Sequence, residues 1–192
     1  MTSFEEAYNK VIEGSEGGYA NDLTDKGGET YAGISRKFHP EWNGWGIIDA
    51  KKYIENFELI LKNDEQLQNL TKEFYKNEFW DMFAGDSLNP FVAAEMFDQG
   101  VNFGTSICIE HLQRTINLLN KNATLYPDVE VDGGFGKQTF TGYKNCVAHN
   151  PVSMIVNVLN GYQVKRYIEI MEANTSQEKY IGWFNRVQII KN

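Results

Sequence analysis

Apolar residues recur at helical spacing along most of the chain, and two glycine-rich stretches interrupt them. Phe4, Ala7, Tyr8, Val11 and Ile12 mark one face of a first helix over about Thr2 to Glu13, which Ser3 and Glu6 open as a capping box. Tyr53, Ile54, Phe57, Ile60 and Leu61 mark a second stripe, in a helix that Asp49 would cap. Leu67, Leu70, Phe74, Phe79, Trp80 and Phe83 carry a third from about Asp64 to Met82. Their rings fall on helical spacing and outnumber the polar groups that could orient a ligand, so they read as core. After a break at Gly85 to Asn89, Asn89 and Pro90 supply the N-cap and first helical residue of FVAAEMFDQGVNFG. Thr105 opens a helix to about Leu119 with Cys108, Leu112, Thr115, Ile116 and Leu119 inward. Helices over Pro151 to about Glu172 and Glu178 to Ile190 complete the chain. Burial of Trp183, Phe184, Val187 and Ile190 would return the C-terminus to the bundle. The expected fold is mainly α, a helical bundle with one small irregular or β hairpin, in two closely packed halves, 1–100 and 101–192.

The first interruption, EGSEGGYANDLTDKGGETYAGIS from Glu13 to Ser35, is too broken for one helix and richer in acids, hydroxyls and glycine than a core requires. Gly17-Gly18 directly after Glu16 predicts a sharp exit from the first helix that turns the Glu16 carboxyl to a cleft. Asp25 follows nine residues on, and Thr30 five beyond it. Two carboxylates flanking a turn or short hairpin, with a hydroxyl nearby, are the minimum equipment for splitting a glycosidic bond. Trp42 and Trp45 in HPEWNGWGI form a second glycine-broken patch. Exposed on loops they would be platforms for a pyranose; the alternative is that they plug the core under the hairpin. Asp98 and Asn102 lie four apart on one face of an otherwise apolar helix. If buried they must be hydrogen-bonded, either bracing the hairpin, which is the preferred reading, or contacting substrate. In the second interruption, Val131-Asp132-Gly133-Gly134-Phe135-Gly136 opens a helix, with Asp132 placed to accept backbone hydrogen bonds across the turn.

Composition narrows the classes. A chain of 192 residues with 42% hydrophobic and 14% aromatic residues can bury its own core. The net charge of −8, and no run of Lys or Arg longer than two, exclude a basic nucleic-acid footprint. Cys108 and Cys146 form no metal-ligand spacing with His39, His111 or His149 and read as two buried thiols of a reducing compartment. No Ser-His-Asp, Cys-His, phosphate-loop or metal motif is present, so neither a metal nor a cofactor is expected. The N-terminus carries no basic and apolar leader, and no stretch reaches the apolar length of a membrane helix. Synthesis in the cytoplasm is therefore expected, with action on any wall only after release or export.

Glu16-Gly17-Gly18-Tyr19, Asn21-Asp22, Gly27-Gly28-Glu29-Thr30 and Gly33-Ile34-Ser35 together resemble the signature of the family 108 glycoside hydrolases. These are phage- and prophage-type N-acetylmuramidases, some labelled secretion activators. The resemblance implies a lysozyme-like fold and cleavage of the β-1,4 bond between N-acetylmuramic acid and N-acetylglucosamine in peptidoglycan. Glu16 is then the expected general acid, its pKa raised by desolvation. Asp25 is the candidate second carboxylate and Thr30 positions the water, with Asp22 and Glu29 competing for the role of Asp25. Tyr19, Tyr31, Trp42, Asp98 and Asn102 are the candidate substrate contacts. The Val131 to Gly136 segment resembles small helical peptidoglycan-binding domains, so the second half is expected to support or extend a glycan cleft. The implied partners are glycan strands and a holin or secretion route for export, with the protein a monomer. A lytic transglycosylase using the same glutamate, or a non-catalytic wall-binding or secretion-assisting protein, are the alternatives. An acidic enzyme gains no long-range steering to an anionic wall, which a cleft built from rings and hydrogen bonds does not require.

Overall fold

The computed structural model describes residues 3–13, 18–21 and 27–187. The chain forms two compact units, Met1–Glu78 and Phe79–Asn192, and both are mainly helical. In the first, helix α1 (Ser3–Tyr8) runs on as a π-helical turn, Asn9–Glu13. It buries Phe4, Ala7, Tyr8, Val11 and Ile12, the stripe that the periodicity marks.

Three short antiparallel strands follow in the order β1 (Tyr19–Asn21), β2 (Glu29–Tyr31), β3 (Ile34–Ser35). Ala20 pairs with Thr30, and Tyr31 with Ile34. The connecting residues Ala32 and Gly33 have φ of 47° and 81°, the paired positive angles of a two-residue type I′ hairpin turn. A Cβ at Gly33 would sit 2.9 Å from the Tyr75 hydroxyl, so glycine answers both to the turn and to its neighbour. That hydroxyl donates to the Ala32 carbonyl at 2.6 Å, and the Ala32 N–H donates to the Gly18 carbonyl at 3.0 Å.

Helices α2 (Gly44–Lys51), α3 (Phe57–Lys62) and α4 (Glu65–Tyr75) complete this unit's helices. The expected cap at Asp49 does not form, because α2 begins at Gly44 and Asp49 lies inside it. Nor does the stripe from Tyr53 hold. Asn56, at φ 58°, breaks the helical path ahead of α3 and turns the apolar face, leaving Tyr53 89% exposed and Ile54 on the surface while Leu61 is buried. Asp64 caps α4 as expected, its Oδ1 accepting the Leu67 N–H at 2.9 Å. Beyond Tyr75 the expected single helix changes winding, to π over Lys76–Trp80 and to 3-10 over Asp81–Phe83. Trp80 and Phe83 are fully buried, so the aromatic cluster there is core.

The second unit is built on α5 (Pro90–Phe103), α6 (Thr105–Leu118), α7 (Lys137–His149) and α8 (Val152–Ala173). Asn89 caps α5 through the Phe91 N–H, and Pro90 is its first residue. Helix α5 packs on both α6 and α8, burying Val92, Ala93, Met96 and Phe97. Cys108 and Cys146 are free and buried, and desolvation raises the pKa of Cys108 to about 12. The C-terminal segment is a 3-10 helix over Thr175–Arg186 in which no residue is buried. Trp183 and Phe184 lie against Tyr167 with ring centroids at 5.3 and 5.9 Å. The segment thus returns to α8 as a covering strip and not as a core helix; Ile190 lies outside the described residues.

The loop between α6 and α7 is organised by amides that α6 carries. Gln113 is fully buried, and its Nε2 donates to Asp132 Oδ1, the Gly134 carbonyl and Thr139 Oγ1 at 2.7 to 3.0 Å. Its Oε1 accepts the N–H groups of Asp132 and Gly133, both at 3.0 Å. One turn on, Asn117 makes both backbone hydrogen bonds of Val129, each 2.8 Å long. Asp132 accepts the Gly134 N–H across the turn as the sequence predicts, and these donors hold its carboxyl below the usual range. Gly133, at φ 71°, lets the turn pass Ser106, whose carbonyl would lie 3.0 Å from a Cβ there.

Removing the buried Tyr75 hydroxyl leaves the Ala32 carbonyl without its side-chain donor. Tyr75→Phe is therefore expected to lower the unfolding free energy by about 1–2 kcal/mol, read by urea denaturation. A pH effect follows from His111, 9% exposed, whose pKa burial lowers to about 4, with the positive charges of Arg114, Arg166 and Lys165 acting in the same direction. Its unfolded pKa is near 6.5, so the unfolded chain binds the extra proton between the two values. The stabilisation is complete above about pH 6.5 and is lost as pH falls toward 4. Between pH 7 and pH 5 the wild type should lose about 2 kcal/mol more than His111→Gln in paired denaturation curves.

Candidate active site

Glu16, Asp25 and Asp22 lie outside the described residues, so the geometry here is that of the hairpin around them. Thr30 is the middle residue of β2, and strand alternation sends it to the face opposite Glu29 and Tyr31. The residue is half-buried, and its hydroxyl makes no hydrogen bond to a described residue. Tyr31, expected to line a cleft, is instead 3% exposed. Its hydroxyl donates to the Leu61 carbonyl at 3.3 Å and accepts from Gln68 Nε2 at 2.8 Å, which makes it a core residue.

Glu29 is occupied. Its Oε1 accepts the Tyr19 hydroxyl at 2.9 Å, and its Oε2 lies 2.7 Å from Arg36 Nε. The Nε–H does not point along that contact, so it is a charge contact and not an aligned hydrogen bond. The rest of the guanidinium grips Asp49 in a fork, at 3.1 and 2.9 Å, and lies 4.5 Å from the centroid of the Trp45 ring. Hydrogen bonds from Arg36 and then Lys52 lower the pKa of Asp49 to about 2. Tyr19 is half-buried, its ring edge-on to Phe57 at 5.2 Å. The Tyr19–Glu29–Arg36–Asp49 chain ties both outer ends of the β1–β2 pair to α2.

The two tryptophans divide. Trp45 is 4% exposed, with its Nε1 donating to the His39 carbonyl at 2.8 Å, so it plugs the core. Trp42 is half-buried. One side of its ring stacks near Tyr31, at 6.2 Å and 21°, and Trp45 meets it edge-on at 5.1 Å. The remainder lines a groove of about 450 Å³ with Phe38, His39 and Phe74 on the apolar side and Glu73, Asn77 and Glu78 among its polar groups. His39 is held edge-on to Phe74 at 4.7 Å. Rings beside amide and carboxylate groups are the chemistry of a sugar-binding groove.

Asp98 and Asn102 belong to the second unit. Asp98 accepts from Gln163 Nε2 at 2.5 Å and pairs with Arg186 at 3.1 Å, joining α5 to α8 and to the C-terminal strip. Asn102 is exposed, not buried, and its amide returns to the Asp98 carbonyl at 2.6 Å. Among the described residues no group of three or more His, Cys, Asp or Glu side chains could hold a metal ion, and no helix is long and apolar enough to cross a membrane.

A family model described as Glycosyl hydrolase 108 matches residues 9–104, half of the chain, and one described as Predicted Peptidoglycan domain matches residues 107–188. The fold is similar to a solved structure, "Structure of Brucella abortus SagA", with a TM-score of 0.62 at 22% identity, over 96% of this chain and 89% of that one. No curated protein matches the chain. The first family match takes in the whole hairpin and the Trp42 groove. It also includes α5, which packs within the second unit, so the family boundary and the packing boundary fall at different places.

Proposed function

Because the chain belongs to the glycosyl hydrolase 108 family, and so is a glycoside hydrolase of peptidoglycan, we propose that it is an N-acetylmuramidase with Glu16 as its general acid. The observation that carries this reading is the family match over residues 9–104, which contains the full Glu16 to Ser35 stretch. Glu16 donates its proton to O4 of N-acetylglucosamine, which stays on that sugar as a hydroxyl while its bond to C1 of N-acetylmuramic acid breaks. Asp25 handles the charge that develops at C1, or takes the proton of the water that attacks it. Thr30, whose hydroxyl bonds to no other described residue, orients that water. Glu29 is the weaker rival for the role of Asp25, since both of its oxygens are engaged by Tyr19 and Arg36. The Trp42 groove supplies a platform for a neighbouring sugar.

Peptidoglycan digested with the wild type is expected to yield reducing muropeptides by mass spectrometry. Glu16→Gln should lower the rate at least about 100-fold, and Asp25→Asn should also impair it. Anhydro ends, with near-normal activity in Asp25→Asn, would instead identify a lytic transglycosylase. An intact wall would overturn both. Trp42→Ala is expected to raise KM about 3- to 10-fold while kcat holds, the signature of lost stacking remote from the reacting bond.

A further inference from the structure

The groove between α6 and α8, about 440 Å³ in volume, has no part in this chemistry. Its wall is a stacked pair, His111 on Tyr162, with ring centroids 5.1 Å apart and planes 14° from parallel. The tautomer of His111 is fixed from behind. Gln99 Nε2 donates to the Leu159 carbonyl at 2.9 Å and to Glu95 at 2.8 Å, which turns its Oε1 toward the ring. His111 Nδ1 therefore carries the proton that Gln99 accepts at 2.7 Å, and Nε2 is left as an acceptor. Arg114, Lys165 and Arg166 converge on the same groove.

Their ion pairs with Glu110 and Glu169 are loose, at 3.4 to 3.8 Å, well beyond the length of a charge-assisted hydrogen bond. Arg166 Nε is buried and has no hydrogen-bond partner among the described residues. Three cations with donors to spare, against two carboxylates, stand out in a chain of net charge −8. Neutral sugar hydroxyls have little use for three positive charges. A peptide that ends in a carboxylate uses them, and its ammonium groups can meet Glu110 and Glu169.

We propose that this groove binds the carboxylate end of a peptidoglycan stem peptide, with Arg114, Lys165 and Arg166 as the anion contacts and Tyr162 packing against the peptide. The proposal rests on the wall-hydrolase reading, since it takes the same polymer as ligand. It makes the second unit a reader of the peptide and leaves the sugar to the first.

The full-length protein tests it by calorimetric titration with three soluble probes: a disaccharide tetrapeptide, the same molecule with its terminal carboxyl converted to the amide, and the peptide-free disaccharide. The expected result is binding of the first, with affinity at least ten-fold weaker for the other two and for the Arg114→Ala/Arg166→Ala double variant, its near-UV circular dichroism unchanged. Equal affinity of wild type and double variant, or of the acid and the amide, would overturn the proposal. So would displacement of the tetrapeptide by polyglycerol phosphate at lower concentration, which would assign the groove to a phosphate polymer. Should the double variant misfold, the acid-versus-amide comparison on the wild type decides alone. Release of reducing ends from peptide-free glycan strands is measured in parallel. If the wild type releases none, the hydrolase reading fails by itself, whatever the titration gives.

Discussion

The hydrogen bond from Tyr75 to the Ala32 carbonyl fixes the hairpin to the helices of the first unit. A three-residue strand paired to a two-residue strand has little stability of its own. Its geometry must come from what holds its turn, and here a buried phenol on α4 does so at 2.6 Å. From that point the chain is referenced in both directions. The Ala32 N–H holds the Gly18 carbonyl, two residues after Glu16, and β2 pairs Thr30 with Ala20 of β1. The Arg36 guanidinium, shared between Glu29 and Asp49, adds a second tie from β2 to α2. A short hairpin holds a fixed geometry only when its flanks supply the rigidity, and these two ties supply it.

How much of this the sequence discloses depends on whether the signal is local. The α1 stripe, the Asp64 cap and the Asn89-Pro90 start are local and legible, since each needs only side-chain spacing and backbone chemistry within one turn. Tyr53 and Ile54 mislead because their helical spacing is real, and the left-handed Asn56 that breaks it is one among many asparagines in the sequence. The C-terminal rings mislead in another way. Trp183 and Phe184 do seek apolar surface, but they find it by lying on Tyr167 and not by entering a core. Gln113 is illegible, since a glutamine in an amphipathic helix gives no sign that it will be fully buried and bonded to a turn about twenty residues away.

The site divides along the same line. The Glu16 to Ser35 pattern is read directly, because its acids, glycines and hydroxyls lie within one short stretch. Which ring serves a ligand is not, since Tyr31, Trp42 and Trp45 differ by what packs behind them and not by their neighbours in sequence. Asp98 is expected to brace the hairpin, yet its hydrogen-bond partners Gln163 and Arg186, 65 and 88 residues away, belong to α8 and the C-terminal strip. The α6–α8 groove is less visible still. Arg114 and Arg166 each look like a solvated helix charge with an acid three or four residues off, and only packing turns them toward one volume.

Charge sets the conditions under which such an arrangement can work. A chain of net charge −8 is repelled by an anionic polymer at long range, but at physiological ionic strength that repulsion fades over about 8 Å. Inside that distance the local arrangement outweighs the total, and a groove with three cations presents the opposite sign to its ligand. The His111 tautomer contributes to this. Kept neutral by burial and locked by Gln99, the ring adds an acceptor without adding a fourth positive charge, which would favour any polyanion over a peptide with both signs of charge. A weak peptide contact of this kind also acts on catalysis without touching the reacting bond. Once it holds one stem, the covalently linked catalytic unit meets nearby glycan at an effective concentration set by the chain and not by the bulk. The groove then needs only modest affinity, and modest affinity permits release after each cut.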